Sequence, residues 1–169
     1  MRPSSAAFAS LALALAILAG PAAAAEPVDL LKPFAFLAGH CWKGSSDGKR
    51  TDEHCFAWMY DGRALRDTHV VKAPGQPDGV GETTYYVNSA SKRVEYLYVE
   101  NTGGFSRGSV EMLPEALIFP DAQYIADGET LVVRARWTPK GTDSYEAWAE
   151  AQTREGWSTL FKTVMKRSD

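Results

Sequence analysis

The sequence predicts an all-β protein, an up-and-down antiparallel barrel of about nine or ten strands preceded by a short N-terminal helix. Three observations carry that expectation. Turn signals recur at short intervals, as "SSDGK", "YDGR", "APGQPDGVG", "NSASK", "NTGG", "LPEA", "ADGE", "PKGTD" and "REG". The stretches between them are rich in Tyr, Val, Thr, Phe and Trp, and many alternate apolar with polar residues, as half-buried strands do. No segment beyond residue 40 sustains the 3.6-residue apolar period of a helix. Sequential strands joined by hairpin-length turns form a meander, and in a chain of 169 residues its simplest closure is a small barrel.

The N-terminus reads as an export signal. Arg2 is followed by the apolar run "FASLALALAILAG" and by Ala23-Ala24-Ala25, a small-residue cleavage site before Glu26. The run is short for a membrane span, no later segment reaches the roughly 20 apolar residues a span needs, and no cysteine marks a lipoprotein cleavage point. The expectation is a signal peptide over 1–25 and one soluble domain over 26–169, periplasmic or secreted. The net charge of −3 becomes one unit more negative once Arg2 is removed, which argues against nucleic acid or an anionic membrane surface as partner. "PVDLLKPFAFLAG" reads as one or two helical turns, interrupted by Pro33 and ending near Gly39. Strands are expected at 40–45, 50–59, 64–72, 81–88, 93–101, 105–112, 116–119, 130–138, 144–153 and 157–167. In "SYEAWAEAQT" the composition favours a helix, but Tyr145, Ala147, Ala149 and Ala151 alternate with Glu146, Trp148 and Glu150, which marks a strand.

The segment "GHCWKGSSDGKRTDEHCFAW" holds the chain's two cysteines, each preceded by a histidine. Export favours a disulfide over free thiols. With the "SSDGK" turn centred on Gly48, Cys41 and Cys55 are each seven residues from the centre and face one another across a hairpin, close enough to bridge. Such a staple stabilises by about 3 kcal/mol on the chain-entropy model. There is no C-x-x-C spacing to indicate redox chemistry.

The same symmetry sets Trp42 opposite His54 and His40 opposite Phe56. Centring the next turn between Asp61 and Gly62 places His54 opposite His69. All three histidines then project from one patch on three adjacent strands, near Asp52 and Asp67. A three-histidine metal site at His40, His54 and His69 is one reading of that patch. A polar spot in a binding cavity is another, and histidines simply paired with nearby carboxylates and hydroxyls are a third. On strand 50–59 bulk favours Asp52, His54, Phe56 and Trp58 as the inward face, joined by Trp42, Leu65, His69 and Val71. Aromatic rings mixed with His and Asp line cavities for mostly apolar molecules with one polar end. Trp42, His54, Phe56, Trp58, Asp67, His69 and Tyr96 are the candidate ligand-lining residues. Tyr85, Tyr86, Tyr96 and Tyr98 cluster on two paired strands as an aromatic wall or as ordinary sheet packing.

The residues Phe36, Leu37, Gly39, Trp42 and Gly44 resemble the Phe-Leu-x-Gly, Trp, Gly opening of small calycin-like or lipocalin-like barrels of unknown function, and more distantly of the nitrobindin-like haem-binding barrels. The resemblance implies that the Trp plugs one barrel end, often against a basic residue of the last strand, for which Arg167, Lys166 and Lys162 are candidates. Two departures stand out. His40 and Cys41 separate Gly39 from Trp42 where the usual pattern has one residue. No histidine follows His69, so the nitrobindin-like haem ligand has no counterpart and haem binding is not carried over.

Enzyme signatures are absent from the sequence. "GFSRG" matches a nucleophile elbow only superficially, because it lies between two strands rather than in a strand–turn–helix. No P-loop, dinucleotide fingerprint or H-E-x-x-H occurs. Asp52 with Glu53, and Glu95 with Glu100, read as solvated charge. Three functions remain: a binding barrel for a small, largely apolar molecule; a histidine-centred metal-binding protein or metal-dependent enzyme; and a structural or stress-related envelope protein with a filled barrel. Ligand identity and oligomeric state are not written in the sequence.

Overall fold

A computed structural model describes residues 28–46 and 48–169; the expected signal segment lies outside the described residues. A 3₁₀ helix, Asp29–Phe34, leads into ten strands: β1 (Cys41–Ser45), β2 (Thr51–Met59), β3 (Ala64–Lys72), β4 (Gly79–Asn88), β5 (Arg93–Glu100), β6 (Phe105–Leu113), β7 (Ala116–Ala126), β8 (Glu129–Pro139), β9 (Ser144–Thr153) and β10 (Gly156–Arg167). Each strand pairs antiparallel with its neighbours in sequence, and β1 returns to β10 to close the barrel. Among the described residues no helix is long and apolar enough to cross a membrane.

Hairpin symmetry sets the registers. Cys41 pairs with Cys55 and Trp42 with His54, and His54 pairs with His69. The cysteines form the disulfide. Its two halves lie on adjacent strands of the barrel wall, where they hold β1 against β2. That support matters because the ladder from β1 to β10 has just two residue pairs, Trp42↔Arg167 and Lys43↔Lys166, supplemented by the Thr163 hydroxyl donating to the Ser45 carbonyl and the Ser168 amide to the Cys41 carbonyl.

One end of the barrel is plugged. Leu31, Phe34 and Leu37 recur every three residues, the repeat of a 3₁₀ helix, so they share a face, and all three are fully buried. Trp42 lies beneath them, also fully buried, and its indole N–H donates to the Leu37 carbonyl at 3.2 Å. The Arg167 guanidinium sits 5.2 Å from the Trp42 ring, which makes Arg167, of the three basic candidates, the partner of the plug. Gly44 passes so close to β10 that a Cβ there would meet the Met165 sulfur at 2.5 Å and the Val164 carbonyl at 3.1 Å.

β7 differs from expectation. The alternating pattern stops at Phe119 because Pro120 cannot donate to a ladder, yet the strand continues to Ala126. A bulge between Phe119 and Ala122 absorbs the proline. A second bulge, between Thr159 and Phe161, interrupts β10.

The double variant Cys41→Ser/Cys55→Ser is expected to keep its strand spectrum by circular dichroism and to lose about 3 kcal/mol in urea unfolding. An unchanged unfolding midpoint would show that β1 is held without the staple.

A candidate binding site in the open half of the barrel

The end opposite the plug holds a cavity of about 340 Å³, with Tyr85, Tyr96, Phe119 and Trp137 among the large side chains in its wall. Small residues create the space. β9 turns Ala147, Ala149 and Ala151 inward as buried residues below Tyr145. Ala149 and Ala135 line the cavity, while Leu160 and Phe161, at the β10 bulge, are lining residues that remain exposed to solvent.

Polar groups gather along one side, in two neighbouring rows of the sheet. Across β2 to β5 one row runs His54, His69, Gly81, Glu100, and the next runs Phe56, Asp67, Thr83, Tyr98. Diagonal contacts join them. His54 Nδ1 faces the Asp67 carboxylate at 2.8 and 3.0 Å, and His54 Nε2 faces Asp52 Oδ2 at 3.3 Å. A carboxylate only accepts, and a neutral imidazole donates from one nitrogen alone, so this geometry requires His54 to be the doubly protonated imidazolium. Burial opposes that charge, but Asp67 and Asp52 outweigh it and raise the His54 pKa from 6.5 to about 10. Burial likewise works against the Asp52 carboxylate, and the bond to His54 prevails, lowering its pKa. The Asp67 side chain is 1% exposed, a buried charge kept because it is paired.

His69 behaves in the opposite way. Burial first, and then the nearby His54 charge, lower its pKa, so it is neutral at neutral pH. Tyr98 donates its hydroxyl proton to Glu100 Oε2 at 2.8 Å, which leaves its oxygen to accept from His69 Nε2 at 3.3 Å. Gly81 makes this approach feasible. A Cβ at that position would lie 2.6 Å from His69 Nε2 and 2.7 Å from the Tyr98 ring. Tyr124 and Thr102 donate to the other oxygen of Glu100, and these bonds overcome burial to lower the Glu100 pKa.

Of the residues named from sequence as ligand-lining, His54, Asp67, His69 and Tyr96 lie in the cavity wall. Trp42 belongs to the plug. Phe56 is buried in the core, stacked on the His54 ring, and Trp58 packs against the core cluster. His40 lies away from the other two histidines: its Nδ1 is 3.4 Å from Asp169 Oδ1, and its carbonyl accepts from the Phe56 amide. The group able to converge on one ion among the described residues is Asp52, His54 and His69, whose ligating atoms lie within 4.8 Å of one another. An ion bound at His54 Nε2 would have to displace the proton that this nitrogen directs to Asp52.

Sequence reasoning placed Asp52 on the inward face beside the histidines but read its pairing with Glu53, like that of Glu95 with Glu100, as solvated charge. Parity was the available signal: Glu100 alternates in step with Tyr96 and Tyr98, and Asp52 with His54. Tyr85 and Tyr98 join Tyr96 in the wall, whereas Tyr86 bonds Glu95 instead, at 3.4 Å. Phe119, Tyr124 and Trp137 were not anticipated as lining residues.

Fold and site together define a closed, disulfide-bonded ten-stranded barrel, plugged at one end and hollow at the other. No protein-family model matches the chain, and no curated protein matches it in sequence.

The folded His54 pKa lies above its ordinary value, so its contribution to stability is complete below about 6.5 and is lost as pH rises through about 10. Asp52, with a lowered pKa, contributes above its ordinary 3.8 and loses that contribution as pH falls. The urea midpoint is therefore expected to decline on the alkaline side toward pH 10. His54→Gln removes that alkaline dependence and costs about 3–5 kcal/mol, because it strands a buried carboxylate. A His54 ring titrating near 6.5 by NMR would contradict the arrangement.

Proposed function

We propose that the protein is an exported binding barrel of calycin-like type that holds one small, largely apolar molecule in its open half. The observation that carries this reading is the cavity itself. Its volume, about 340 Å³, falls in the range of small-molecule sites, and its walls combine aromatic rings with a few placed polar groups, as such sites do. Trp42, under its helix and against Arg167, agrees with the plug that the calycin resemblance implies. The Cys41–Cys55 bond fits an oxidising compartment, periplasmic or extracellular. A filled barrel with a purely structural role accords less well with alanines facing the lumen across from large aromatic residues.

The convergence of Asp52, His54 and His69 favours a second reading, a metal site. Three ligands with an open position suit a catalytic ion, but ligation needs neutral imidazoles, and His54 is engaged on both nitrogens. Zinc binding by this group would release the His54 proton and become tighter as pH rises toward 10.

N-phenylnaphthylamine, a neutral apolar dye whose emission rises on leaving water, is expected to saturate at one molecule per barrel. Ala149→Trp fills the lumen and is expected to weaken binding more than about tenfold, a loss of about 1.4 kcal/mol or more. His40→Ala, at the plugged end, leaves it unchanged. A wild-type protein that fails to enhance the dye, or an Ala149→Trp variant that binds it as well, would sink the proposal. Zinc bound in place of the dye, and lost in His69→Ala, would establish the metal reading.

A further inference from the structure

The polar inventory of the cavity narrows the ligand further, given that the open half is a binding site. Donors in the wall are already committed. The two N–H groups of His54 go to Asp67 and Asp52, the His69 Nε2 proton to Tyr98, and the Tyr98 and Tyr124 hydroxyl protons to Glu100. Arg134, the arginine among the lining residues, has its charge balanced by Glu150 at 2.7 Å and lies 3.9 Å over the Trp157 ring. What remains for a ligand on the donor side is neutral hydroxyl, such as the proton left over when Tyr96 and Ser106 share a single bond.

Acceptors, in contrast, are in surplus. Glu100 receives three hydroxyl protons, while a carboxylate has about four lone-pair positions. Among the described residues its side chain bonds hydroxyls and makes no Lys or Arg ion pair. Behind His54, outside the cavity lining, Asp52 Oδ1 is buried without a hydrogen-bond partner among the described residues. Neutral His69, with its Nε2 proton directed to Tyr98, keeps a lone pair on Nδ1. The charges agree with this count. Asp52 and Asp67 flank the imidazolium of His54, and Arg50 also acts on Asp52, which leaves Glu100 as the lining carboxylate with no Lys or Arg partner among the described residues. The faces of Tyr98, Tyr124 and Trp137 in the same wall attract cations through their quadrupoles.

We infer that the molecule bound in the cavity is an apolar or aromatic amine, held as its ammonium ion with Glu100 as counter-ion and the rings of Tyr96, Phe119 and Trp137 around its body. A carboxylate of the same shape finds acceptors where it needs donors. Fatty-acid-like ligands are therefore rejected by charge, not by size.

Three probes with one ring system separate this inference from the reading on which it rests: naphthylmethylamine, naphthylmethanol and naphthoic acid, titrated into the purified protein at neutral pH by calorimetry. The ammonium ion is expected to bind at least about tenfold more tightly than the alcohol, a difference of about 1.4 kcal/mol or more, because hydrogen bonds to charged groups are stronger than those to neutral ones, and the carboxylate most weakly. In Glu100→Gln, checked for folding by circular dichroism, the ratio of ammonium to alcohol affinity should fall toward one. If that variant does not fold, the wild-type ratio alone decides. Equal or tighter binding of naphthoate, or an unchanged ratio in Glu100→Gln, overturns the inference. Alcohol binding without ammonium preference overturns it too, and leaves the apolar cavity standing. Failure of all three probes to bind removes the cavity reading and the inference together.

Discussion

Closure of the ring rests on the contact between Trp42 and what surrounds it. β1 spans only Cys41–Ser45, and two residue pairs connect it to β10. Trp42 compensates by burying its whole side chain against Tyr145, at 5.3 Å between centroids, and beneath Leu37, with Arg167 across the seam. Burial of a large aromatic side chain is among the strongest single contributions a core residue makes, and here it joins the helix, the first strand and the last. The disulfide anchors the same strand from its other side. Loss of the plug would open the sheet rather than merely loosen it.

With one end filled, the other need not be. A ten-stranded ring encloses more space than this chain's inward side chains occupy on β9, where alanines stand in sequence. The void is stabilised by the polar rows beside it. His54 is held between two carboxylates, Asp67 is buried because that ion pair exists, and the Gly81 backbone lets His69 and Tyr98 touch. Each of these groups is fixed by its own partners within the barrel, the preorganisation that the proposed binding site requires.

The fold was largely legible because its hairpins are symmetric about turns with clear sequence signals. Two such turns fixed the pairing of Cys41 with Cys55 and of His54 with His69, to the residue. The full length of β7 was not legible, since Pro120 breaks the pattern and only a bulge reconciles it with the sheet. His40 shows a different limit. Alternation assigns it a face of β1, but the chain enters that strand through Gly39 at φ 81°, and the side chain settles against Asp169 at the C-terminus. Contacts across the lumen were hidden for a third reason. The His54 and Trp137 rings approach to 6.1 Å, and the proximity of β2 to β8 follows from closing the ring, not from any hairpin. Glu100 was readable by parity alone, and its charged character obscured the inward position.

The central claim is that a small organic molecule occupies the lumen between Trp137 and the polar side of the barrel. A crystal structure of the protein soaked with naphthylmethylamine tests it most directly. The account predicts ordered density for one molecule inside the open half, its ring against Tyr96, Phe119 and Trp137 and its nitrogen beside Glu100, with the Trp42 plug unmoved. A lumen containing only water, with the amine bound on the outer wall or nowhere, would contradict it.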